Sequence, residues 1–104
     1  MTYKELESNI NEIYLSINKS IDYNEPIGYK SNTSINKNKV IVKFWDFNIV
    51  FTRYNVFSSG VSIKYKNINK LEKHEIKKII KKNMNNLYDF RKKIFNLIDK
   101  FYKD

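Results

Sequence analysis

Hydrophobic positions in the first 21 residues recur at intervals of three and four along the chain. The residues in this pattern are Tyr3, Leu6, Ile10, Ile13, Tyr14, Ile17 and Ile21. Such spacing places them on one face of an α-helix, because a helix completes a turn about every 3.6 residues. Thr2 and Glu5 have the separation of a capping box, in which each side chain satisfies a free backbone N–H. The pattern predicts an amphipathic helix over about residues 3–20.

The segment from residue 22 to residue 38 interrupts this periodicity. It contains the only proline and one of the two glycines of the chain, and its second half is rich in Ser, Asn and Thr. These residues favour turns and exposed loops. We predict a mobile surface loop over residues 22–38, with a short strand around Tyr29 as the alternative for part of it.

Residues 39–57 have a different character, because β-branched and aromatic residues dominate the sequence there. This composition is typical of a β-sheet. We predict one strand at residues 39–46 and a second at residues 48–57, with a turn near residues 46–48. A single long bent strand is the competing interpretation.

A third strand is predicted at residues 61–66, after the turn-forming sequence Ser-Ser-Gly at 58–60. Apolar residues at 61, 63 and 65 alternate with Ser62, Lys64 and Lys66, so the two sets face opposite sides of the sheet. The sheet is therefore predicted to be a three-stranded antiparallel meander over about residues 39–66, with one solvent-exposed, basic face.

The C-terminal third of the chain carries one continuous helical stripe. Its apolar members are Ile76, Ile80, Met84, Leu87, Phe90, Ile94, Ile98 and Phe101. Asn69 and Glu72 supply a second capping pair. We predict a helical region over about residues 70–103. Because one straight helix of that length would overrun a three-stranded sheet, the region must either break near residues 83–86 or pack its distal half on another surface.

Four members of this stripe lie seven residues apart: Ile80, Leu87, Ile94 and Phe101. The spacing is typical of a domain core and also of a coiled-coil seam, so a homodimer through the C-terminal helix is one prediction. Together the elements predict a single α+β domain over residues 1–104. Their order is α-β-β-β-α, or α-β-β-β-α-α if the last helix breaks.

The net charge is +9, and it is unevenly distributed along the chain. Residues 1–38 contain four basic and five acidic residues, whereas residues 39–104 contain 16 basic and six acidic ones. Eighteen of the 20 basic residues are lysines, and Lys, Asn and Ile together fill 48 of the 104 positions. Codons for these three residues predominate in A/T-rich genomes, so mutational bias accounts for part of the lysine excess.

The lysines are densest in the sequence KHEIKKIIKK, where they are Lys73, Lys77, Lys78, Lys81 and Lys82. All except Lys78 lack an acidic residue one helical turn away, whereas Asp89 lies one turn from Lys92 and Lys93. Unpaired like charges at this spacing repel, which favours a ridge that binds an acidic partner such as phosphate. The other interpretation is a solvated helix face that codon bias has filled with lysine.

The predicted polar face of the sheet adds the basic residues Lys43, Arg53, Lys64 and Lys66. Tyr29, Tyr54 and Trp45 offer aromatic contacts if they are exposed, either to a base by stacking or to a protein as interface anchors. Most aromatic residues of a small domain belong to its core. Trp45 in particular is expected to pack against a helix.

Features typical of enzymes and metalloproteins are missing from the sequence. There is no cysteine, the single histidine, His74, has no second histidine at a ligand spacing, and no pair of carboxylates suggests a two-metal site. Two glycines cannot form a phosphate-binding loop. We therefore predict no enzymatic activity, no cofactor and no metal. No apolar stretch has the length of a membrane span or a secretory signal, which predicts a soluble, cytoplasmic protein without a membrane partner.

The predicted order α-β-β-β-α resembles that of the double-stranded-RNA-binding domain, whose second helix also begins with lysines that contact phosphates. The likeness extends over about residues 3–82 and is one of order alone. The 22–38 segment is longer than the corresponding loop of that domain, and the glycine-rich turn expected after its third strand is missing.

These features lead to two main hypotheses. The first is a small, non-enzymatic basic protein that binds nucleic acid or a ribonucleoprotein through lysine contacts to phosphates, with weak sequence specificity because arginine is scarce. The second is an inhibitor of the kind that phages and mobile elements encode against host defences. Similar in type to anti-CRISPR proteins, it would block a CRISPR-type nuclease through protein–protein contacts. A third hypothesis is an assembly subunit joined through the C-terminal helix.

Overall fold

The computed structural model describes residues 1–29, 32–53 and 60–103. Its helices are α1 (Tyr3–Ile21), α2 (Lys70–Lys82) and α3 (Met84–Lys103), and its strands are β1 (Asn32–Asn36), β2 (Lys39–Lys43), β3 (Phe47–Thr52) and β4 (Val61–Tyr65). The predicted α+β class is confirmed, with an N-terminal helix, an antiparallel sheet and a helical C-terminal region. The sheet has four strands, so the prediction of three was wrong.

β1 is the strand that the sequence pattern did not indicate. It lies inside the segment predicted to be a mobile loop, and it begins at Asn32 rather than around Tyr29. Its five residues pair with the whole of β2, from Asn32 opposite Lys43 to Asn36 opposite Lys39. Asn and Ser have little intrinsic preference for strands, so β1 depends on this pairing and on Ile35, which packs against the core. The additional strand also departs from the α-β-β-β-α order of the double-stranded-RNA-binding domain.

The four strands form a meander in chain order, β1-β2-β3-β4. β2 and β3 are joined by a tight hairpin, in which the Phe44 N–H donates to the Phe47 carbonyl at 2.9 Å and the two rings stack with centroids 4.7 Å apart. Trp45 and Asp46, which we call the hairpin tip, are the two residues between them. The chain therefore turns here and does not form the single long bent strand of the competing interpretation.

All three helices contribute to a core on one face of the sheet, which we call the inner face; the opposite one is the outer face. Five inner-face residues of β2 and β3 are fully buried: Val40, Val42, Phe47, Ile49 and Phe51. They pack with buried helix residues that include Leu6, Ile10, Ile17, Ile76, Leu87 and Ile94. Burial of apolar area, at about 25 cal/mol per Å², is the main favourable contribution to this fold.

α1 and α3 run antiparallel across the core. At one end, the Tyr3 ring contacts the Phe101 ring with centroids 6.1 Å apart. At the other end, Ser20 Oγ donates to Asn83 Oδ1 at 2.9 Å. The first residues of the chain therefore lie beside the last turns of α3, and the end of α1 lies beside the junction of α2 and α3.

Both predicted helix caps form, and of the two alternatives for the C-terminal region, a break near residues 83–86 is the one observed. Thr2 Oγ1 accepts the Glu5 N–H at 3.2 Å, and Asn69 Oδ1 accepts the Glu72 N–H at 2.8 Å. Asn83 separates α2 from α3, and its side-chain amide donates at 2.8 Å to the backbone carbonyl four residues earlier. The backbone N–H of Asn83 also donates to the carbonyls of Ile79 and Ile80, both at 3.1 Å, so the last turn of α2 is closed there. The Asn83 backbone angles, φ −105° and ψ 11°, depart from helical values and interrupt the helix.

We predict that Leu87→Ala in α3 lowers the free energy of unfolding by about 2–5 kcal/mol, because the side chain is 1% exposed and its removal leaves a cavity. Leu15→Ala in α1 removes the same atoms from a side chain that is 63% exposed, so the expected change is below about 0.5 kcal/mol. Urea unfolding followed by far-UV circular dichroism measures both values. Equal destabilisation by the two substitutions would contradict the packing of α3 on the core.

Candidate functional site

α2 carries a group of lysines that we call the α2 ridge and define as Lys73, Lys77, Lys78, Lys81 and Lys82. Burial of Ile76 and Ile80 fixes the rotation of the helix, so all five ridge lysines are exposed. None of them forms an ion pair with any residue that the structure describes. Lys73 Nζ lies 5.0 Å from the centroid of the Tyr65 ring in β4, a cation–π contact that holds the first ridge lysine against the sheet.

The ridge extends one turn further towards the start of α2 than the sequence pattern indicated. Lys70 is exposed and lies three positions before Lys73. This spacing places the two lysines next to each other on the helix surface, and it could have been recognised from the sequence. The acidic residues of α2 do not neutralise these charges by pairing. The Glu72 carboxylate accepts a hydrogen bond from the Asn69 side-chain amide at 2.9 Å, and Glu75 is without an ion pair to the described residues.

The ridge is distinguished by the density of its lysines and not by their lack of ion pairs. Within the described ranges Asp89 also forms no ion pair with Lys92 or Lys93, although their spacing predicted one. α2, however, places six lysines and two acidic residues in 13 positions. The ridge is therefore a concentrated patch of positive charge on a helix anchored by its isoleucines.

The outer face of the sheet carries a second group of lysines. Across the four strands, its first row is Asn32, Lys43, Asn48 and Lys64. Lys43 and Lys64 flank Asn48, so their backbones are two strand spacings, or about 10 Å, apart. Lys39 also belongs to this group although it was not predicted, since strand alternation places it on the same face as Lys43.

The centre of the outer face is apolar. Ile41 and Val50 lie opposite each other there, and Val50 is 5% exposed although it is not part of the core. Beside them, Asn48 Oδ1 is buried and accepts no hydrogen bond from a described residue. An unsatisfied acceptor of this kind costs about 1–3 kcal/mol. The outer face is therefore neither a fully solvated polar surface nor a second core.

Arg53 was predicted to belong to the exposed sheet face, and that prediction was wrong. Its Nη1 lies 2.6 Å from Asp99 Oδ1, and its side chain is 16% exposed. Nη2 donates to the Phe95 carbonyl at 3.3 Å, and the guanidinium lies 4.9 Å from the centroid of the Phe95 ring. Because strand alternation continues past Phe51, residue 53 turns towards the helices, and Arg53 joins the end of β3 to α3.

Lys66 is exposed, but its ammonium group is engaged at the hairpin. Lys66 Nζ donates to the Phe44 carbonyl at 2.6 Å, and its backbone N–H donates to the Asp46 carbonyl at 2.9 Å. One of its three side-chain donors is thus used within the protein. Lys66 therefore supports the hairpin tip, and of the predicted lysines of the sheet only Lys43 and Lys64 lie on strands of the outer face.

Trp45 projects from the hairpin tip, contrary to the expectation that it packs against a helix. Its side chain is 53% exposed, because a residue at the tip of a tight hairpin lies beyond the end of the sheet. The Tyr29 ring meets it at 80°, with centroids 5.4 Å apart. The Tyr29 hydroxyl donates to the Lys43 carbonyl at 3.0 Å. Tyr54, the third aromatic residue of the prediction, lies outside the described residues.

Residues 22–29 contact the hairpin tip through side-chain hydrogen bonds. Glu25 Oε2 accepts the Trp45 N–H at 3.0 Å, and the Tyr23 hydroxyl donates to Asp46 Oδ2 at 2.7 Å. Burial raises the pKa of the Glu25 carboxyl and that of the Tyr23 hydroxyl. Glu25 Oε1 is buried without a described partner, and Ile27 is fully exposed. The first part of the predicted mobile loop is therefore anchored to the sheet.

The residues spaced seven apart are used inside the monomer. Ile80, Leu87 and Ile94 are buried, and Phe101 packs against the same core. A homodimer through α3 stays a prediction, and it would have to use other residues of that helix. A groove of about 530 Å³ between α1 and α3 and a cleft of about 450 Å³ around Arg53 contain none of the ridge lysines.

No group of three or more histidine, aspartate or glutamate side chains in the described ranges is arranged to hold a metal ion. None of the described helices combines the length and the apolar character needed to cross a membrane. The chain matches no protein-family model, no curated protein and no solved structure.

We predict that Glu25→Gln raises the melting temperature by a few degrees at pH 7 and that this difference disappears in acid. Burial raises the pKa of the Glu25 carboxyl in the folded state, and this outweighs the opposing effects of the Trp45 N–H and Lys66. The folded protein thus binds the Glu25 proton more tightly than the unfolded chain does, so stability is lost as pH rises through the raised pKa. Glutamine cannot ionise, yet its oxygen still accepts the Trp45 N–H.

Thermal unfolding between about pH 4 and pH 8 measures this difference. Glu12→Gln, which neutralises an exposed glutamate of α1, is the matched control, and it is expected to leave the melting temperature nearly unchanged. A stabilisation by Glu25→Gln that is the same at every pH would show that ionisation of the carboxyl is not its cause.

Proposed function

We propose that this protein binds nucleic acid, free or within a ribonucleoprotein, through contacts between the α2 ridge and phosphate groups. The observation that carries the proposal is the concentration of exposed lysines on α2. Neighbouring like charges on a helix repel by a few tenths of a kcal/mol per pair. A phosphate backbone relieves this repulsion, and binding releases counterions from the nucleic acid. In this role the protein is a binding module that takes no part in a chemical step.

The two arginines support contact with phosphates and not with base edges. Arg53 is held by α3, and Arg91 Nε donates to the Thr52 carbonyl at 2.7 Å. Bidentate arginine contacts are the commonest means of reading guanine in the major groove, and lysine is a point charge that suits phosphate. We therefore expect the α2 ridge to bind nucleic acids with little sequence preference.

Fluorescence anisotropy with labelled duplex DNA and RNA, at about 50 and 200 mM salt, tests this proposal. Roughly six phosphate contacts would cost about 10³-fold in affinity over that range. Replacement of Lys77, Lys78 and Lys81 by glutamine is expected to reduce the slope of log affinity against log salt by about 3. Lys73 is left in place because it packs on Tyr65, so the variant removes charge without that contact.

The matched control replaces Lys4, Lys19 and Lys100 by glutamine, which removes the same charge from α1 and α3. This control is expected to keep the affinity and salt slope of the parent protein. If both triple variants weaken binding equally, net charge is responsible and the α2 ridge is not a site. If no nucleic acid binds even at about 50 mM salt, the proposed function is wrong.

A second candidate function is favoured by the exposed apolar side chains near the hairpin tip. Trp45 and Tyr29 contact each other there. Ile27, which lies between Glu25 and Tyr29 in the sequence, is fully exposed. Exposed aromatic residues are frequent anchors of protein interfaces. In this candidate function, the protein is an anti-defence inhibitor, similar in type to anti-CRISPR proteins, that binds and blocks a CRISPR-type nuclease.

An inhibitor of that kind would reduce DNA cleavage by a purified RNA-guided nuclease at about 0.5 M salt, where contacts between exposed charges are largely screened. Ile27→Ser is expected to weaken the inhibition roughly tenfold, as the loss of an interface anchor does. Leu15→Ser, at an exposed leucine of α1, is the control. Equal inhibition by the parent and the Ile27→Ser variant would argue against this surface as the contact.

A further inference from the structure

The outer face and the hairpin tip place an exposed aromatic ring beside lysines that form no ion pair with any described residue. We propose that they form a binding site for single-stranded nucleic acid, in which one base stacks on Trp45 and neighbouring phosphates contact Lys43 and Lys64. The inference rests on the proposed function. It adds the class of nucleic acid and a second surface, separate from the α2 ridge.

The ring and the lysines lie at the same end of the sheet. Val42 is fully buried on the inner face, so Lys43, the last residue of β2, projects from the outer face. Trp45 follows two residues later in the hairpin tip, beyond the row that Lys43 shares with Lys64. Two residues along a strand correspond to about 7 Å, and Lys64 lies two strand spacings, about 10 Å, from Lys43. A few nucleotides of an extended single strand cover these distances.

The Trp45 ring is held in position before any ligand arrives. Its backbone N–H is bound by Glu25, and its ring is supported by the edge-to-face contact with Tyr29. Tyr29 is itself fixed through its hydroxyl to the Lys43 carbonyl. Because more than half of the Trp45 side chain is exposed, ring surface remains for a base. A platform that is already ordered loses little conformational entropy on binding.

The chemistry of the site favours a single strand over a duplex or a protein. A base can stack on a protein ring when it is free of its neighbours in the strand, and every base offers such a face. The acidic groups near the ring already accept hydrogen bonds: Glu25 from the Trp45 N–H and Asp46 from Tyr23. Lys43 and Lys64 form no ion pair with a described residue. Together with Lys66, whose ammonium group is bound at the hairpin, these lysines outnumber the two carboxylates. The net charge around the ring is therefore positive, which complements phosphate.

The site is independent of the α2 ridge, so the two can be tested separately. α2 is anchored through Ile76 and Ile80 to the core on the inner face, whereas Lys43 and Lys64 project from the outer face. The ridge is expected to act through charge alone. The outer face adds stacking, which salt does not screen as it screens charge. Variants of one surface should leave the contribution of the other in place.

Trp45 is the only tryptophan of the chain, so its intrinsic fluorescence reports directly on the proposed stacking. The experiment titrates the protein with a dodecamer of deoxythymidine, a dodecamer of uridine and a 12-base-pair duplex, at about 50 mM salt. We expect both single strands to quench Trp45 emission and the duplex to leave it nearly unchanged. Comparable affinity for the deoxythymidine and uridine dodecamers supports binding through base faces and phosphates. A higher affinity for one of these dodecamers supports binding at the same site with an additional contact to its sugar or base.

Variants measured by anisotropy complete the test. Trp45→Leu is expected to weaken binding of the single strands about 5- to 150-fold, the loss of one stacked base, while Trp45→Phe retains most of the affinity. Replacing Lys43 and Lys64 by glutamine should lower the salt slope by about 1.4. An unchanged melting temperature of each variant shows that the fold is intact, and Trp45→Phe keeps the test valid if Trp45→Leu unfolds.

The inference is overturned if the single strands bind without quenching and Trp45→Leu binds them like the parent protein. If the Lys77, Lys78 and Lys81 variant loses binding in the same experiments, nucleic-acid binding through the α2 ridge is still supported. If Trp45→Leu abolishes nuclease inhibition and leaves nucleic-acid affinity unchanged, the hairpin tip is a protein contact and the inference also fails. Absence of all nucleic-acid binding refutes both the inference and the proposed function.

Discussion

Burial of the inner face of the sheet is the constraint on which the other features of this structure depend. Val42 and Phe44 must point into the core to be covered by the helices, and successive residues of a strand point to opposite sides. Lys43 is therefore directed outwards by the same burial that holds the domain together, and Trp45 lies just beyond it in the connection to β3. On α2, burial of Ile76 and Ile80 turns the ridge lysines towards solvent in the same way. Both candidate surfaces are consequences of how the core is filled.

The elements that the sequence predicted are those whose signals are local. Helix periodicity, the two capping pairs and the break at Asn83 each depend on residues within a turn or two of one another. β1 escaped prediction because its stability comes from pairing with β2 and from Ile35 on the core, neither of which its own composition shows. Arg53 was misplaced for a related reason. Its partners, Asp99 and Phe95, lie more than 40 positions away in α3, and only the packing of that helix brings them to the end of β3.

At the hairpin tip, the residue type predicts burial whereas the position in the fold leads to exposure. Tryptophan is mostly buried in proteins, which led to the expectation that Trp45 would pack against a helix. A two-residue connection between paired strands instead places its side chains beyond the sheet. The 22–29 segment then meets this tip through Tyr23, Glu25 and Tyr29, in hydrogen bonds whose partners lie 14 to 23 positions apart. Such contacts follow from the register of β2 and β3, and that register was known only approximately from the sequence.

Codon bias and surface chemistry make different predictions for the two surfaces. In an A/T-rich coding sequence, lysine is a readily supplied residue for any solvent-facing position, so the number of lysines on α2 follows partly from composition. Tryptophan has a single codon rich in G, which the same bias disfavours, and Trp45 leaves about half of its surface exposed in the fold. Its support by Tyr29 and Glu25 costs ordered side chains and a buried carboxylate oxygen that has no hydrogen-bond partner among the described residues. The tight hairpin accounts for the outward position of Trp45, but codon bias does not account for a tryptophan there. The hairpin tip is therefore the more specific of the two candidate surfaces, even though the α2 ridge carries more charge.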